Sequence, residues 1–274
     1  MVDIHSHVVW GLDDGATDME QSLAMLRGAA DSGTTDIVAT PHSNAEFRYQ
    51  AELLEERMGL LAAATGGRPR MHRGSDLHLS FDNIDEVLER PGRYSINGKR
   101  YLLVECPDFH VGKHTEGVLR RLMDRGMVPI VTHPERNPVL QEKLSRVEEW
   151  VALGCLVQVT ALSISGGFGR RARAAVGRLL ERGLVHVVAS DAHDPVHRHA
   201  RLDEAYGMVR SRYGEEEADL LFTHNPQAII EGIPLAGGRQ MRQETAGKRW
   251  WRRRATEGRR SSWRPGARPP GGSI

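Results

Sequence analysis

Cysteine is nearly absent from this 274-residue chain, which has only Cys106 and Cys155. Two thiols make no disulfide framework, and they are read as reduced, in a cytoplasmic protein. Neither fits a thiolate nucleophile cradled with an arginine six residues on, because those positions are Gly112 and Ala161. The Gly-rich Lys-Ser/Thr loop that cradles nucleotide phosphates is missing. So is any apolar run of about 18 residues, which excludes a membrane-spanning helix. The first residues also lack the basic-then-apolar order of a signal peptide.

The net charge of +1 hides an asymmetry. From Arg239 to Ile274 there are 11 Lys+Arg and 2 Asp+Glu; of the chain's 37 basic and 36 acidic residues this leaves 26 and 34 in the body. The body is therefore acidic and the end basic. Residues 235–274 are rich in Gly, Pro, Arg and Ser, with Trp250, Trp251 and Trp263 interspersed and no apolar period. They read as a disordered tail following a domain at 1–234. Arg beside Trp suits RNA, an anionic membrane surface or another polyanion, against the plainer alternative of a solvated tail with no specific partner.

Within the body, strand-like apolar runs alternate with helical stripes about seven times, as in Asp36–His42, Tyr101–Glu105, Val128–His133, Cys155–Thr160 and Leu184–His193. Several runs are apolar on both faces, as strands covered on both sides should be. The run Met71–Leu79 and helices near Thr17–Ser32, with Thr17 opening a capping-box spacing, and Glu46–Ala64 complete the pattern. Ligand-type residues end almost every run: His5 and His7, His42, Asp76, Glu105, His133, then Asp191 and His193. A β/α barrel gathers strand ends at one mouth, whereas a doubly wound sheet spreads them along an edge. The expected fold is therefore an α/β, TIM-like barrel of about seven strands.

With Asp14 from the Asp13-Asp14-Gly15 loop, nine side chains make up the expected ring. So many carboxylates in one mouth raise each other's pKa, a cost that divalent cations remove. Nine donors exceed one tetrahedral site and suit two or three ions. Mixed nitrogen and oxygen donors without thiolate suit manganese, zinc or iron better than calcium or a Cys-type zinc site. Clustered ions activate water and offset charge developing on phosphorus or carbon. Arg136 and Arg198 lie just beyond proposed ligands and supply a two-pronged grip on an oxyanion. His72, His78, His110, His114, His186, His197, His199 and His224 rank lower, lacking a strand-end position or the right parity.

Asp3-Ile4-His5-Ser6-His7, Asp13-Asp14-Gly15, Thr40-Pro41-His42, Leu103-Val104-Glu105, His133-Pro134-Glu135-Arg136, Ser190-Asp191-Ala192-His193 and Asn225-Pro226 follow one another in an order that resembles the polymerase-and-histidinol-phosphatase (PHP) family. More narrowly, they resemble the capsule-biosynthesis tyrosine phosphatases of the CpsB/CapC type. The resemblance covers roughly residues 1–234. It implies a distorted (βα)7 barrel with three divalent ions, usually manganese. His5, His7, Asp76 and Asp191 would hold the first, Asp76, Glu105 and His133 the second, and Asp14, His42 and His193 the third. Arg136 and Arg198 match phosphate-binding arginines. The implied substrate is phosphotyrosine on the tail of a bacterial tyrosine kinase that controls capsule or exopolysaccharide export. One departure is Asp76, where the family usually has the longer Glu. Two other readings stand beside this one: a small-molecule phosphatase acting on a compound such as histidinol phosphate, and a metal-stabilised barrel that binds phosphorylated tails without cutting them.

Overall fold

A computed structural model of the chain describes residues 1–79, 84–107, 111 and 113–235. The expected tail, apart from Leu235, and His110 lie outside the described residues. The first half runs β1 (Val2–Ser6), α1 (Met19–Asp31), β2 (Asp36–Ala39), β3 (His42–Ser43), α2 (Ala51–Thr65), β4 (Arg70–Arg73), β5 (Asp76–His78), α3 (Ile84–Glu89), α4 (Pro91–Tyr94), β6 (Tyr101–Glu105) and α5 (Lys113–Asp124). The second half runs β7 (Val128–Thr132), α6 (Pro138–Glu142), α7 (Leu144–Leu153), β8 (Leu156–Thr160), α8 (Ala161–Ser165), α9 (Gly169–Glu181), β9 (Val187–Ala189), α10 (Asp203–Tyr213), α11 (Glu215–Asp219) and α12 (Asn225–Glu231).

All neighbouring strands pair in parallel, in the ladders β1-β2-β4 and β3-β5-β6-β7-β8-β9. Two staves of the barrel are broken. Between β2 and β3 stands Pro41, which has no N–H to offer the ladder. Between β4 and β5, Gly74 is so tightly enclosed that a Cβ there would lie 3.0 Å from Val38 and 3.1 Å from Thr40. With each broken pair taken as one stave, seven staves form a ring. It closes where β9 meets β1, through a parallel bridge between Ser6 and Ala192, Asp191 N donating to His5 O (2.8 Å) and His7 N to Ala192 O (2.8 Å). This is the expected TIM-like barrel, distorted by the two breaks.

The strands inside the ring are fully buried: Leu102, Leu103, Val104, Ile130, Val131, Val157 and Val159 expose none of their surface. Inside the ring an apolar layer of Val2, Ile4, Val38, Tyr101, Leu103, Ile130, Val187 and Ala189 lies below the strand ends, and Ile96, Ile229 and Ile230 plug it from beneath. In β1 the register slips between Asp3 and Ser6. Such a bulge lets consecutive residues face the same way, so Ile4 joins the apolar layer while His5 and His7 join the polar one above it. Tyr101 Oη donates to Ile233 O (2.7 Å) and Lys99 Nζ to Ile230 O (3.0 Å), fixing the end of α12 at the pole opposite the strand ends.

Outside the ring, helices lay apolar stripes on it. On α9 these are Ala172, Ala175, Val176 and Leu179. Helix α1 begins one residue later than the sequence pattern predicts, because the Asp18 carboxylate, not Thr17, accepts from Gln21 N (2.9 Å). Helix α2 begins at Ala51 instead of Glu46, since Asn44 Oδ1 accepts from Glu46 N and Phe47 N and holds that stretch in a turn. The strand expected over 184–193 keeps only Val187–Ala189, because Ser190 N leaves the ladder for Asp3 Oδ1 (3.0 Å). Among the described residues no helix is long and apolar enough to cross a membrane.

Candidate metal centre

The structure brings all nine expected donors to the C-terminal rim. His5 Nε2 lies 3.6 Å from Asp76 Oδ2, 3.5 Å from Asp191 Oδ1 and 3.3 Å from His7 Nε2. His42 Nδ1 lies 3.3 Å from Asp76 Oδ2 and 3.7 Å from Glu105 Oε2, while its Nε2 lies 3.4 Å from Asp14 Oδ1. His133 Nε2 faces Glu105 Oε1 at 3.5 Å, and His193 Nε2 faces Asp14 Oδ1 at 3.5 Å. These separations are long for hydrogen bonds. They match the spacing of donors that share one ion, since ligands about 2.1 Å from a tetrahedral centre are about 3.4 Å apart.

Both oxygens of Asp76 and Nε2 of His193 are buried without a hydrogen-bond partner among the described residues. Such orphaned atoms are costly unless something else satisfies them, and a cation would. Donor atoms fall into four overlapping sets, each mutually within 4.8 Å: His7, Asp14, His42 and His193; His5, His7 and Asp76; His5, His133 and Asp191; His42, Asp76 and Glu105. The set implied around Asp14, His42 and His193 is therefore together, with His7 added. His133 groups with His5 and Asp191 rather than with Asp76, although it still faces Glu105. The shorter Asp76 side chain reaches both His5 and His42.

Electrostatics point the same way. Burial pushes Glu105 well above the usual carboxylate range, and the Asp76 and Asp191 charges push it further. Burial also works to raise Asp76 and Asp191, but the imidazoles around them, with Arg136 beside Asp191, hold both well below the usual range. Burial lowers His5, and lowers His133 to about 3 with help from Arg136. His7 goes the other way: burial disfavours its charge, yet Asp13 and Asp191 raise it to about 10. Without a cation the mouth thus holds paired charges beside a carboxyl whose ionisation is disfavoured, and divalent ions fit it.

A second set of side chains, less visible in the sequence, aims the imidazoles. Asp13 Oδ2 accepts from His7 Nδ1 (2.5 Å) and His42 N (2.9 Å), while Asp13 Oδ1 accepts from Gly15 N (3.0 Å). Gln158 Oε1 accepts from His5 Nδ1 (3.0 Å), and Asp191 O accepts from His193 Nδ1 (3.0 Å). Each bond assigns the proton to Nδ1 and turns Nε2 toward the ring, the arrangement found around ligating histidines. Gly15 has no alternative, because a Cβ there would lie 2.3 Å from His7 O. His133 (φ 30°) and Asp191 (φ 51°) hold left-handed backbone that L-residues rarely adopt, as strained residues at functional sites do.

Arg136 and Arg198 stand over the ring, both donating to Asp191 Oδ2, Arg198 at 2.8 Å. Both guanidiniums lie over the Phe168 ring, 4.3 and 5.7 Å from its centroid. The buried Glu135 carboxylate, between His133 and Arg136, accepts from Thr160 N (2.9 Å) and ties this loop to β8. A cavity of about 310 Å³ opens above the donors, lined also by Asn44, Glu46, Phe47 and His78. His78 therefore belongs beside the site, contrary to its low rank in the sequence: β5 ends at His78, not at Leu79. His72 pairs with Asp36 (2.9 Å) at the first residue of β2, and Val157 N donates to His186 Nδ1 (3.1 Å), so both are structural.

The family model for capsular polysaccharide synthesis, CpsB/CapC, matches residues 1–231. The tyrosine-protein phosphatase YwqE of Bacillus subtilis (strain 168) is 32% identical over 238 residues, covering 84% of this chain and 91% of that protein. The tyrosine-protein phosphatase CpsB of Streptococcus pneumoniae is 31% identical over 239 residues, covering 84% and 98%. A chain from the crystal structures of these two proteins, described as unique metal-dependent tyrosine phosphatases, superposes with a TM-score of 0.80 at 30% identity, covering 86% of this chain and 96% of that one. The phosphotriesterase homology protein of Escherichia coli, at 12% identity and a TM-score of 0.56 over 84% of this chain and 98% of its own, shares the fold.

Proposed function

Because the chain belongs to the CpsB/CapC family of capsular polysaccharide synthesis proteins, we propose that it is a metal-dependent protein-tyrosine phosphatase. The observation that carries this reading is the convergence of nine nitrogen and oxygen donors, some buried and orphaned, beneath two arginines at one barrel mouth. In this reading the nine hold three divalent ions, manganese first and zinc or iron as alternatives. The ions would be grouped around Asp76 with His5, His7 and Asp191; around Asp76 with Glu105 and His133; and around Asp14 with His42 and His193.

The bound ions supply positive charge that acidifies water and offsets the charge gathering on phosphorus. The remaining work belongs to the chain. Asp13 and Gln158 hold His7 and His5 in the required tautomer. Arg136 and Arg198 turn from Asp191 to the phosphoryl oxygens and orient the group for in-line displacement. Tyrosine leaves as a phenolate with an unperturbed pKa of about 10, so strong acid assistance is unnecessary. In this reading the substrate is the phosphotyrosine-bearing tail of a bacterial tyrosine kinase. The catalytic domain is residues 1–234, and 235–274 form an appended basic segment suited to a polyanion or anionic membrane surface.

Chelation of the purified protein should abolish hydrolysis of a phosphotyrosyl peptide, and manganese should restore it with metal analysis near three ions per chain. Activity that survives exhaustive metal removal would overturn the mechanism. Faster turnover of histidinol phosphate than of the peptide would favour the small-molecule phosphatase instead. Tight peptide binding by the loaded protein with no hydrolysis would favour the binding protein.

A further inference from the structure

Arg136 follows β7, Arg198 follows β9, and the loop between β8 and α9 separates them in the barrel order. From that middle loop comes Phe168, partly buried and flanked by Gly166 (φ 102°) and Gly169 (φ 84°), whose left-handed backbone lets the chain turn the ring toward the mouth. Two like-charged guanidiniums then meet one aromatic ring, at 4.3 and 5.7 Å from its centroid, and converge on a single carboxylate oxygen of Asp191. Like charges from separate loops repel and spread unless something holds them. A ring quadrupole attracts both, and its flat face limits where their planes can lie.

We propose that Phe168 is a positioning residue for phosphate: it gathers Arg136 and Arg198 into one preformed clamp for a phosphoryl dianion. This deepens the phosphatase reading and rests on it for the substrate, though not for the measurement. Without the ring, only the Asp191 carboxylate would hold the two together, and the arginines leave it when they turn to phosphate; each incoming anion would then have to order them, so binding would weaken while the chemical step stayed largely intact.

The test uses the full-length, manganese-loaded chain with Phe168→Leu, which keeps apolar bulk and removes the π face, and Phe168→Trp, which restores a face. Calorimetry with inorganic phosphate should show Phe168→Leu weakened about tenfold and Phe168→Trp within about twofold of the parent. Metal content should be equal in all three. With an aryl phosphate, KM should rise about tenfold in Phe168→Leu and kcat should change less than about threefold. Parent-like phosphate affinity in Phe168→Leu would overturn the proposal. So would equal weakening in both variants, or a loss of manganese alongside it, since either marks a packing role. A parent that binds phosphate yet hydrolyses no aryl phosphate would refute the phosphatase reading alone, with the phosphate comparison still deciding the role of Phe168. A parent that binds no phosphate would overturn the clamp itself.

Discussion

Asp13 offers the sharpest separation between holding an ion and aiming what holds it. Its carboxylate lies 2.5 Å from His7 Nδ1 and also accepts from His42 N (2.9 Å) and Gly15 N (3.0 Å). Asp13→Asn keeps the shape but removes the charge and turns one acceptor into a donor. Loss of such an orienting carboxylate typically costs about 10- to 100-fold in metal affinity, ~1.4–2.8 kcal/mol. A second effect opposes the first. In the metal-free protein burial disfavours charge on His7, yet Asp13 and Asp191 raise its pKa to about 10 from an ordinary 6.5, so an incoming ion must displace a proton. Parental affinity should therefore rise about tenfold per pH unit between roughly pH 7 and pH 9 for each proton displaced. In Asp13→Asn the His7 pKa falls, less proton is displaced and the slope flattens. The parental advantage should therefore be largest at the highest pH, reach its full 10- to 100-fold only above about pH 10, and shrink and then reverse as pH drops. Manganese titration of chelated protein at several pH values, read by reactivation and by calorimetry, checks this. Parallel curves would refute the role given to Asp13.

Arg136→Lys and Arg198→Lys each trade a fork for a point charge. Each should lower kcat/KM on aryl phosphates by about 10- to 100-fold with metal content unchanged; parent-like kcat/KM would remove that arginine from the site. Gly15→Ala forces a Cβ to within 2.3 Å of His7 O. It should destabilise the fold by ~2–3 kcal/mol and lower metal occupancy together, whereas full occupancy at parental stability would show that the loop yields. Glu135 is raised from about 4.5 to about 7, chiefly by burial. The folded state then keeps a proton that the unfolded chain releases, so this stabilisation is complete below pH 4.5 and is lost as pH rises through 7. The loss approaches ~3 kcal/mol as an upper bound. Urea denaturation of metal-free Glu135→Gln between pH 4.5 and 8 should show a shallower decline than the parent; identical slopes would sink the assignment.

The ring was legible in the sequence because parallel strands end at one mouth, so a terminal His, Asp or Glu is placed by strand order alone. His42, Glu105, His133 and Asp191 are such residues. What periodicity could not supply were partners fixed by which loops are neighbours in space. Gln158 sits inside β8 and reads as a strand residue until closure of the ring brings β1 within one stave of it. Phe168 gains its place only from lying between the β7 and β9 loops. Asp13 and Asp14 are adjacent and chemically alike; only the folded loop turns one toward His7 and the other toward His42 and His193. The breaks at Pro41 and after Gly74 were hidden for a related reason, since each stretch reads as one strand in sequence while the ladder shifts to a new partner.

The seam that closes the barrel has a consequence for how the enzyme comes into being. Strands β1 and β9 are fastened at the rim by residues as far apart as Asp3 and Ser190, 187 positions along the chain. The same stretch supplies His5, His7, Asp191 and His193. A nascent or clipped polypeptide that stops short of Asp191 lacks both the last stave and the donors that would rivet it to the first. Because contacts this distant form late, the catalyst would be armed only at the final step of its own folding. Ion loss would in turn slacken this one joint ahead of the remaining wall, with faster amide exchange at His7 and Asp191 as its trace.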